Sequence, residues 1–339
     1  MRVLAADIGG TNSRFALYET NGLAHDSLQA CLCAAHLPTG DAASFPDLLR
    51  RVVVAEPGLF TSPGLLVLAV AGPVQGGRRC TPPNIPWVVD LDDPALRAPD
   101  MPPLPPVLLI NDFVAQAYAC LRPAGLDVLD VLDGHPVPDA PTAVVGAGTG
   151  LGKCLLLPPP ADGMPPRALP SEGGHALFPF TDEREMAFAA FVRAHTGRQV
   201  IGDLVVSGPG LRLLHAFHTG QWLEPAEVAA RLMSGNPDAG SGRVPPQVLS
   251  QVLCWFARFY GRICRDYVLE TLALGGLFIS GGVAAATPAL VTHPAFAEAF
   301  RHSDTHAELL GAVPVRLVRS PDAGLLGAAL YGALNGMTP

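Results

Sequence analysis

Two glycine-rich turns, each set between apolar strand-like segments, constrain the fold of this chain more than any other feature of its sequence. The first turn is Gly9–Asn12 and the second is Gly148–Leu151. Glycine accepts positive φ angles and lets a ligand approach the backbone closely. Successive N–H groups in such a turn form a concave site for an anion. The pair predicts two phosphate-binding hairpins, although two ordinary tight turns would show the same pattern.

Strands and helices are predicted to alternate along the chain, which is typical of α/β proteins. The predicted strands are 2–8, 13–19, 27–35, 64–70, 107–111, 142–147, 152–157, 275–280 and 313–318. The predicted helices are 43–56, 112–121, 182–196, 210–219, 224–233, 246–272 and 322–335, with a short one near 91–97 and a proline-rich loop at 158–170. Ser44 is expected to cap the first of these helices.

The chain is long enough for two domains and apolar enough for a large core. It has 339 residues, of which 49% are hydrophobic, and domains usually hold about 100–200 residues. One stretch, 271–297, carries no Asp, Glu, Lys or Arg. Glycines and Pro288 interrupt it, so we interpret it as a buried strand, a turn and a helix start rather than a membrane span.

Charge and cysteine usage exclude several classes of function. The net charge is −8 and no basic stripe is present, which argues against nucleic-acid binding. An acidic protein that binds phosphates needs backbone N–H groups, Mg²⁺ or one placed cation for the purpose. The seven cysteines form no C-x-x-C motif and no zinc-like cluster with histidine. They predict reduced thiols in a cytoplasmic protein.

Lys153, the only lysine of the chain, follows the second glycine turn directly. The segment 147–154 nearly matches the Walker A pattern, but a strand-like run follows it where a P-loop needs a helix. Cys154 also stands where Walker A needs a hydroxyl for Mg²⁺. Two interpretations of Lys153 stay open: it neutralises a phosphate, or it is a solvent-facing strand residue.

Five short motifs together resemble those of the sugar kinases in the hexokinase, actin and Hsp70 superfamily. The segment 5–15 is similar to the first phosphate motif, 68–74 to the first connecting motif, 146–152 to the second phosphate motif, 278–283 to the adenosine motif and 324–329 to the second connecting motif. The resemblance covers almost the whole chain. It implies an α/β, two-lobed ribonuclease-H-like (actin-like ATPase) fold with a cleft between two domains. The small domain would be 1–111 plus 322–339, and the large domain, with mainly helical insertions, would be 112–321.

The same resemblance implies ATP and Mg²⁺ as cofactors. Asp7 is expected to hold Mg²⁺ through water. The residues implied to bind the nucleotide are Asp7, Gly9, Gly10, Thr11, Asn12, Gly148, Thr149, Gly150, Gly281 and Gly282.

Asn111 and Asp112 follow a buried strand and resemble the catalytic turn of bacterial glucokinases of the non-zinc type. A kinase for sugars needs a carboxylate that orients the 6-hydroxyl and accepts its proton as the phosphoryl group moves. The resemblance assigns this role of general base to Asp112. The plain alternative for Asp112 is a helix N-cap, which is common for aspartate after a strand.

Two further segments resemble the sugar-binding side of that family. Ser171–His175 is similar to its Gly-Glu-Gly-Gly-His loop, with serine replacing the first glycine. Asp203 stands where the family has a sugar-binding glutamate, which puts strict glucose specificity in doubt. The substrate-binding residues implied are Asn84, Asn111, Asp112, Glu172, His175 and Asp203. Histidines outside such motifs, including His215 and His218, are expected at the surface.

The resemblance implies the ATP-dependent phosphorylation of glucose to glucose 6-phosphate. The alternatives are a kinase for another hexose (mannose, fructose or an N-acetylhexosamine) and a sugar-sensing protein without turnover. Expected partners are glucose and ATP, with no nucleic acid and no membrane, in a homodimer in the cytoplasm. The sequence leaves the phosphoryl donor open, because other donors also present phosphates.

Overall fold

The computed structural model describes residues 1–20, 28–161, 164–234 and 245–336. Contacts divide the chain into two compact units. Unit 1 comprises Met1–Leu126, Pro159–Pro170 and Pro321–Pro339, and unit 2 comprises Asp127–Pro158 and Ser171–Ser320. This division differs from the sequence-based boundary at 111/112, because 112–126 stay with unit 1. The limits of the functional domains remain a prediction.

The strands among the described residues are β1 (Arg2–Ile8), β2 (Asn12–Thr20), β3 (Leu28–Pro38), β4 (Leu65–Val70), β5 (Val74–Gln75), β6 (Arg79–Cys80), β7 (Val89–Asp90), β8 (Val107–Asn111), β9 (Val128–Leu132), β10 (Thr142–Ala147), β11 (Leu151–Leu157), β12 (Arg167–Ser171), β13 (Gly276–Ser280) and β14 (Val315–Val318). The α-helices are α1 (Phe45–Ala55), α2 (Asp112–Ala119), α3 (Glu183–Thr196), α4 (Gly208–Thr219), α5 (Pro225–Ser234), α6 (Pro246–Thr271), α7 (Gly282–Ala286), α8 (Ala289–Thr292), α9 (Pro294–Arg301), α10 (Ala307–Ala312) and α11 (Ala323–Asn335).

The main sheet of unit 1 has the strand order β3-β2-β1-β4-β8. Strand β1 is antiparallel to β2 and parallel to β4, and β4 is parallel to β8. Ile8, Val70 and Asn111 lie opposite one another in the ladder. The segments that follow these three residues therefore leave the sheet at one edge, which is where ligands bind in open α/β sheets. A small separate sheet contains β5, β6 and β7.

The second large sheet has the strand order β12-β11-β10-β13-β14-β9. Strands β10 and β11 form the predicted antiparallel hairpin, and β13 runs parallel to β10. Gly146 pairs with Ser280 in this ladder. The second glycine turn and Gly281 therefore emerge next to each other. Because β11 is a strand, the Walker A interpretation is rejected.

Most predicted elements are confirmed within a few residues, and Ser44 caps α1 by accepting a hydrogen bond from the Asp47 N–H. The predicted third strand began at residue 27, which lies outside the described residues. The loop predicted at 158–170 contains the start of β12. The short helix near 91–97 is a single 3₁₀ turn at Pro94–Arg97. The helix start predicted within 271–297 corresponds to α7. The elements that sequence reasoning did not predict are β5, β6, β7, β9, β12, α8, α9 and α10.

The core of unit 2 is built around α6, whose apolar face is buried. A buried ion pair crosses this core, with Arg262 Nη1 at 2.7 Å from Glu185 Oε2. The expectation that His215 and His218 lie at the surface is wrong for His215, which is fully buried. His218 is half-buried against Trp255. Within the described ranges, no helix is long and apolar enough to cross a bilayer.

Candidate active site

The first glycine turn is held by a residue that sequence reasoning missed. The Gly9 N–H donates to Asn12 O at 3.0 Å within the turn. Thr39 then braces it from the end of β3: its Oγ1 donates to Gly9 O at 2.7 Å, and its N–H donates to Thr11 O at 3.0 Å. Thr39 is 27 residues beyond the turn in a segment without a recognisable motif, so no local signal could have found it.

Asn84 lies against this turn. A Cβ atom added to Gly10 would be 3.0 Å from the Asn84 Cβ, which is tighter than ordinary contact. The predicted sugar residue Asn84 is exposed and shares the edge of unit 1 with the predicted nucleotide residues. Trp87, three residues after Asn84, is buried and donates from Nε1 to Ala42 O at 2.9 Å, which anchors this segment.

Asp7 stands near the end of β1 and is half-buried. Burial raises the pKa of Asp7, while the Arg14 guanidinium opposes this rise and the Asp322 carboxylate adds to it. Arg14 Nη1 is 3.9 Å from Asp7 Oδ2 and also donates to Pro321 O at 2.6 Å. Gly324 approaches so closely that a Cβ there would overlap the Asp7 carboxylate.

The donor set around Asp7 fits Mg²⁺. Carboxylate oxygens are the ligands that Mg²⁺ takes, and it usually combines one or two of them with water and substrate phosphates. Asp7 lies two residues before Gly9, the first residue of the glycine turn, and Asp322 is close enough to raise its pKa. A divalent cation would favour the ionised carboxylate that burial alone disfavours. Within the described residues, no group of three or more His, Cys, Asp or Glu forms a self-sufficient metal cage.

Asn111 and Asp112 occupy the junction of β8 and α2. Asn111, rather than Asp112, is the N-cap of α2: its Oδ1 accepts from the Phe113 N–H at 2.9 Å. Its Nδ2 donates to Gly72 O at 3.1 Å. The N-cap alternative for Asp112 is therefore wrong. Asp112 is the first residue of the helix, half-buried, with Oδ1 accepting from the Phe113 N–H at 3.0 Å.

The second glycine turn is closed by an internal hydrogen bond, and the adjoining Ala147 contacts Tyr260 and Gly281 of unit 2. The Gly148 N–H donates to Gly150 O at 2.8 Å, and Thr149 is exposed at its tip. The Ala147 N–H donates to the Tyr260 hydroxyl at 3.1 Å. Gly281 has a φ of 93°, and a Cβ there would approach the Ala147 carbonyl to 2.5 Å, so glycine is needed on both counts. The predicted nucleotide residues 148–150, 281 and 282 are thus brought together.

The predicted sugar loop 171–175 is shaped by Ser171. Its Oγ accepts from the Gly173 N–H at 3.1 Å, so the serine that replaces the family glycine takes part in the turn. Glu172 and His175 are both exposed, with His175 Nε2 at 3.7 Å from Glu172 Oε2. Gly174 is buried directly against the Leu151 carbonyl. The two predicted sugar side chains therefore share one surface of unit 2.

Lys153 is buried, with 5% of its surface exposed, so the solvent-facing interpretation is wrong. Its Nζ lies 5.1 Å from the centre of the Tyr267 ring, in a cation–π arrangement. A Cβ added to Gly173 of the sugar loop would be 3.6 Å from this Nζ. The lysine thus lies beneath the sugar loop.

Asp203 lies in a 3₁₀ turn, Gly202–Leu204, of unit 2. Its Oδ1 accepts a hydrogen bond of 2.6 Å from the N–H of Leu151, the residue that ends the second glycine turn. One carboxylate oxygen of Asp203, a residue predicted to bind sugar, is therefore already hydrogen-bonded to the second glycine turn.

The chain is similar to known proteins in sequence and in fold. The sequence profile of the family named Glucokinase matches residues 4–335. A curated glucokinase from Stenotrophomonas maltophilia (strain R551-3) is 35% identical, over 98% of this chain and 95% of the relative. The solved glucokinase from an Antarctic psychrotroph has a TM-score of 0.75 and 27% identity, covering 97% of this chain and 98% of that one.

A second solved structure extends the fold comparison. It is a ROK family glucokinase from Streptomyces griseus in complex with glucose and AMPPNP, with a TM-score of 0.64 and 19% identity, covering 97% of this chain and 98% of that one. The matches confirm the predicted fold class, the α/β fold of the actin-like ATPases.

Proposed function

The chain belongs to the glucokinase family, and from that premise we propose that it transfers the γ-phosphoryl group of ATP to the 6-hydroxyl of glucose, with Asp112 as general base. The observation that carries the proposal is the register of β1 and β8 through β4. It aligns the segment that begins at Gly9 with the segment that begins at Asp112. A phosphate-binding turn and a carboxylate at one sheet edge are what phosphoryl transfer to a hydroxyl requires.

In this mechanism Asp112 orients the 6-hydroxyl and accepts its proton. The sugar oxygen forms the new bond to the γ-phosphorus as the bond to the bridging oxygen of ADP breaks. The Asn111 cap and the first turn of α2 hold the Asp112 backbone, so the carboxylate is positioned before the substrate arrives. In such reactions the protein does little covalent chemistry on the transferred group. Catalysis therefore comes mainly from positioning the reactants and stabilising charge.

The phosphates are proposed to lie on the N–H groups of the two glycine turns. This assigns Gly9, Gly10, Thr11 and Asn12 to one part of the nucleotide and Gly148, Thr149, Gly150, Gly281 and Gly282 to the other. Asp7 would hold Mg²⁺ through water, and the bound ion would offset charge on the phosphate oxygens. The bracing by Thr39 keeps the first turn in its binding conformation.

Glucose is proposed to be recognised by Asn84, Asn111, Asp112, Glu172, His175 and Asp203. Asn111 has one amide hydrogen beyond the bond to Gly72 with which to reach a hydroxyl. Asp203 would use Oδ2, since Oδ1 already accepts from Leu151. The relatives are named as glucokinases, which favours glucose over other hexoses.

The location and assembly of the protein belong to the same proposal. Cysteine usage supports a cytoplasmic protein, because an odd number of cysteines without paired motifs is typical of reducing compartments. A homodimer is proposed from the family resemblance alone.

The substitution Asp112→Asn tests the assignment of the base. The amide keeps the shape and the hydrogen bond to the Phe113 N–H but accepts no proton at neutral pH. We expect kcat to fall by roughly 10²–10⁴-fold, with glucose affinity by calorimetry nearly unchanged. Asp100→Asn, at an exposed ion pair with Arg50 in the same unit, is the matched control and should keep full activity. A kcat near the wild-type value in Asp112→Asn would refute the assignment.

A further inference from the structure

Asp203 is bonded to the phosphate-binding turn of unit 2. Its Oδ1 accepts from the Leu151 N–H at 2.6 Å, across 52 positions of sequence. The contact needs Gly150, because a Cβ there would overlap the same carboxylate oxygen. The short aspartate side chain and the glycine together allow the carboxylate to reach the backbone of the turn.

A second bond ties the same two segments together. The Gly208 N–H, at the start of α4, donates to Gly148 O at 2.8 Å. Ser207 lies between these two hydrogen bonds in sequence. Its Oγ donates to the Asp203 carbonyl at 2.5 Å and accepts from the Gly210 N–H at 3.1 Å. Segment 203–208 therefore holds the glycine turn at both of its ends.

The sugar loop is joined to this arrangement through backbone contacts. The Leu151 carbonyl lies where a Cβ of Gly174 would be, so the two main chains are in direct contact. The Gly202 N–H donates to Ala176 O at 3.0 Å. Leu151 thus meets the sugar loop with its carbonyl and Asp203 with its N–H.

From this geometry we infer that Asp203 is a positioning residue whose carboxylate acts as a hydrogen-bond acceptor and fixes the phosphate-binding turn 148–151 against the sugar loop. The inference rests on the proposed function, which assigns phosphate and sugar to these two loops. It assigns the principal effect of Asp203 to nucleotide binding, although the residue stands where the family has a sugar-binding glutamate. The Asp203 carboxylate reaches the Leu151 N–H directly, and a glutamate would carry its carboxylate one methylene farther from the backbone.

Three substitutions at this position separate a positioning role from sugar binding. Asp203→Ala removes the acceptor, Asp203→Asn keeps an acceptor oxygen without the charge, and Asp203→Glu displaces the carboxylate. We expect Asp203→Ala to weaken binding of the ATP analogue AMPPNP by on the order of 10-fold or more, because a bond to a charged acceptor is lost. Its glucose affinity should change less. The AMPPNP affinity of Asp203→Asn should stay within a few-fold of that of the wild type. The AMPPNP affinity of Asp203→Glu should fall as it does in the alanine variant.

Hydrogen–deuterium exchange supplies a measurement that does not depend on catalysis. Residues 148–152 should exchange faster in Asp203→Ala than in the wild type and should be protected again in Asp203→Asn. Asp304→Ala, at an exposed site in unit 2, is the control and should change neither exchange nor binding. If Asp203→Ala does not fold, the contrast between Asp203→Asn and Asp203→Glu decides.

The inference is overturned if Asp203→Ala weakens only glucose binding, or if exchange at 148–152 is unchanged. It is also overturned if Asp203→Asn is as impaired as the alanine variant, since the charge would then matter more than the acceptor. A wild-type chain that binds AMPPNP but does not phosphorylate glucose would contradict the proposed function alone. The exchange result would still test the contact.

Discussion

Two histidines of α4 show how burial changes the chemistry of a residue. His215 is fully enclosed in unit 2, with its Nδ1 at 3.0 Å from Gln221 O. Burial lowers the pKa of His215, the hydrogen bond with Gln221 O partly opposes this, and the nearby Arg231 lowers the pKa further. Burial also lowers the pKa of His218, with a smaller contribution from His215. Both rings are therefore neutral in the folded protein under conditions in which the unfolded chain begins to take up protons.

This difference predicts a loss of stability in mild acid. Above the ordinary histidine pKa of 6.5, both histidines are neutral in the folded and in the unfolded chain, and their titration costs no stability. As pH falls below that value, the unfolded chain binds protons that the folded chain does not, and the free energy of unfolding decreases. The slope is at most about 1.4 kcal/mol per pH unit for each histidine. Urea unfolding at several pH values between 7.5 and 5 measures it.

The variant His215→Gln/His218→Phe isolates the effect. Its free energy of unfolding should change less steeply with pH than that of the wild type. His135→Gln, at an exposed site, should keep the wild-type slope. The raised pKa of Asp7 acts in the opposite direction, so only the comparison between variants is diagnostic. Equal slopes in the double variant and the wild type would show that these rings are not responsible.

At the scale of elements, glycines set how closely α11 packs in unit 1. Gly327 faces α2, where a Cβ would overlap the Ala115 carbonyl. Gly332 faces β1 and β4, with Val67 and Val3 within 3 Å of where its Cβ would be. The apolar sequence 323–335 predicted this helix, yet the need for glycine depends on a partner more than 200 positions away. A sequence pattern could predict that the helix exists but not which of its faces has no room for a side chain.

Gly327→Ala is therefore expected to destabilise unit 1, although alanine is the better helix former. The added methyl group meets backbone rather than a movable side chain, so the helices must separate, at a cost of about 1–3 kcal/mol or more. Gly311→Ala in α10 is the matched control, since nothing lies within 4 Å of its Cβ position. That change should be neutral or stabilising by up to about 1 kcal/mol. Thermal unfolding of both variants measures the difference, and a Gly327→Ala protein as stable as the control would contradict the packing.

At the scale of the whole molecule, the two glycine turns and the strands around them were predictable from sequence. Their pattern is local, because each turn is a short run of small residues between two apolar, strand-like segments. The edge strand β9 was not predicted, because Asp130 interrupts its apolar run. The contacts that hold the site, such as Thr39 with Gly9 and Asp203 with Leu151, join distant segments. The local sequence pattern does not indicate such contacts. Candidate site residues could therefore be named from the sequence, but the hydrogen bonds that hold them could not.

The central claim is that this chain is a glucokinase, and its most direct test is the reaction itself. The purified chain with ATP and Mg²⁺ is offered glucose, mannose, fructose and N-acetylglucosamine, with ADP formation measured and the sugar product identified by mass spectrometry. The Asp112→Asn protein, purified in parallel, controls for host kinases. We predict glucose 6-phosphate as the product and the highest kcat/KM with glucose. A higher kcat/KM with another hexose, or ADP formed without a sugar phosphate, would contradict the account.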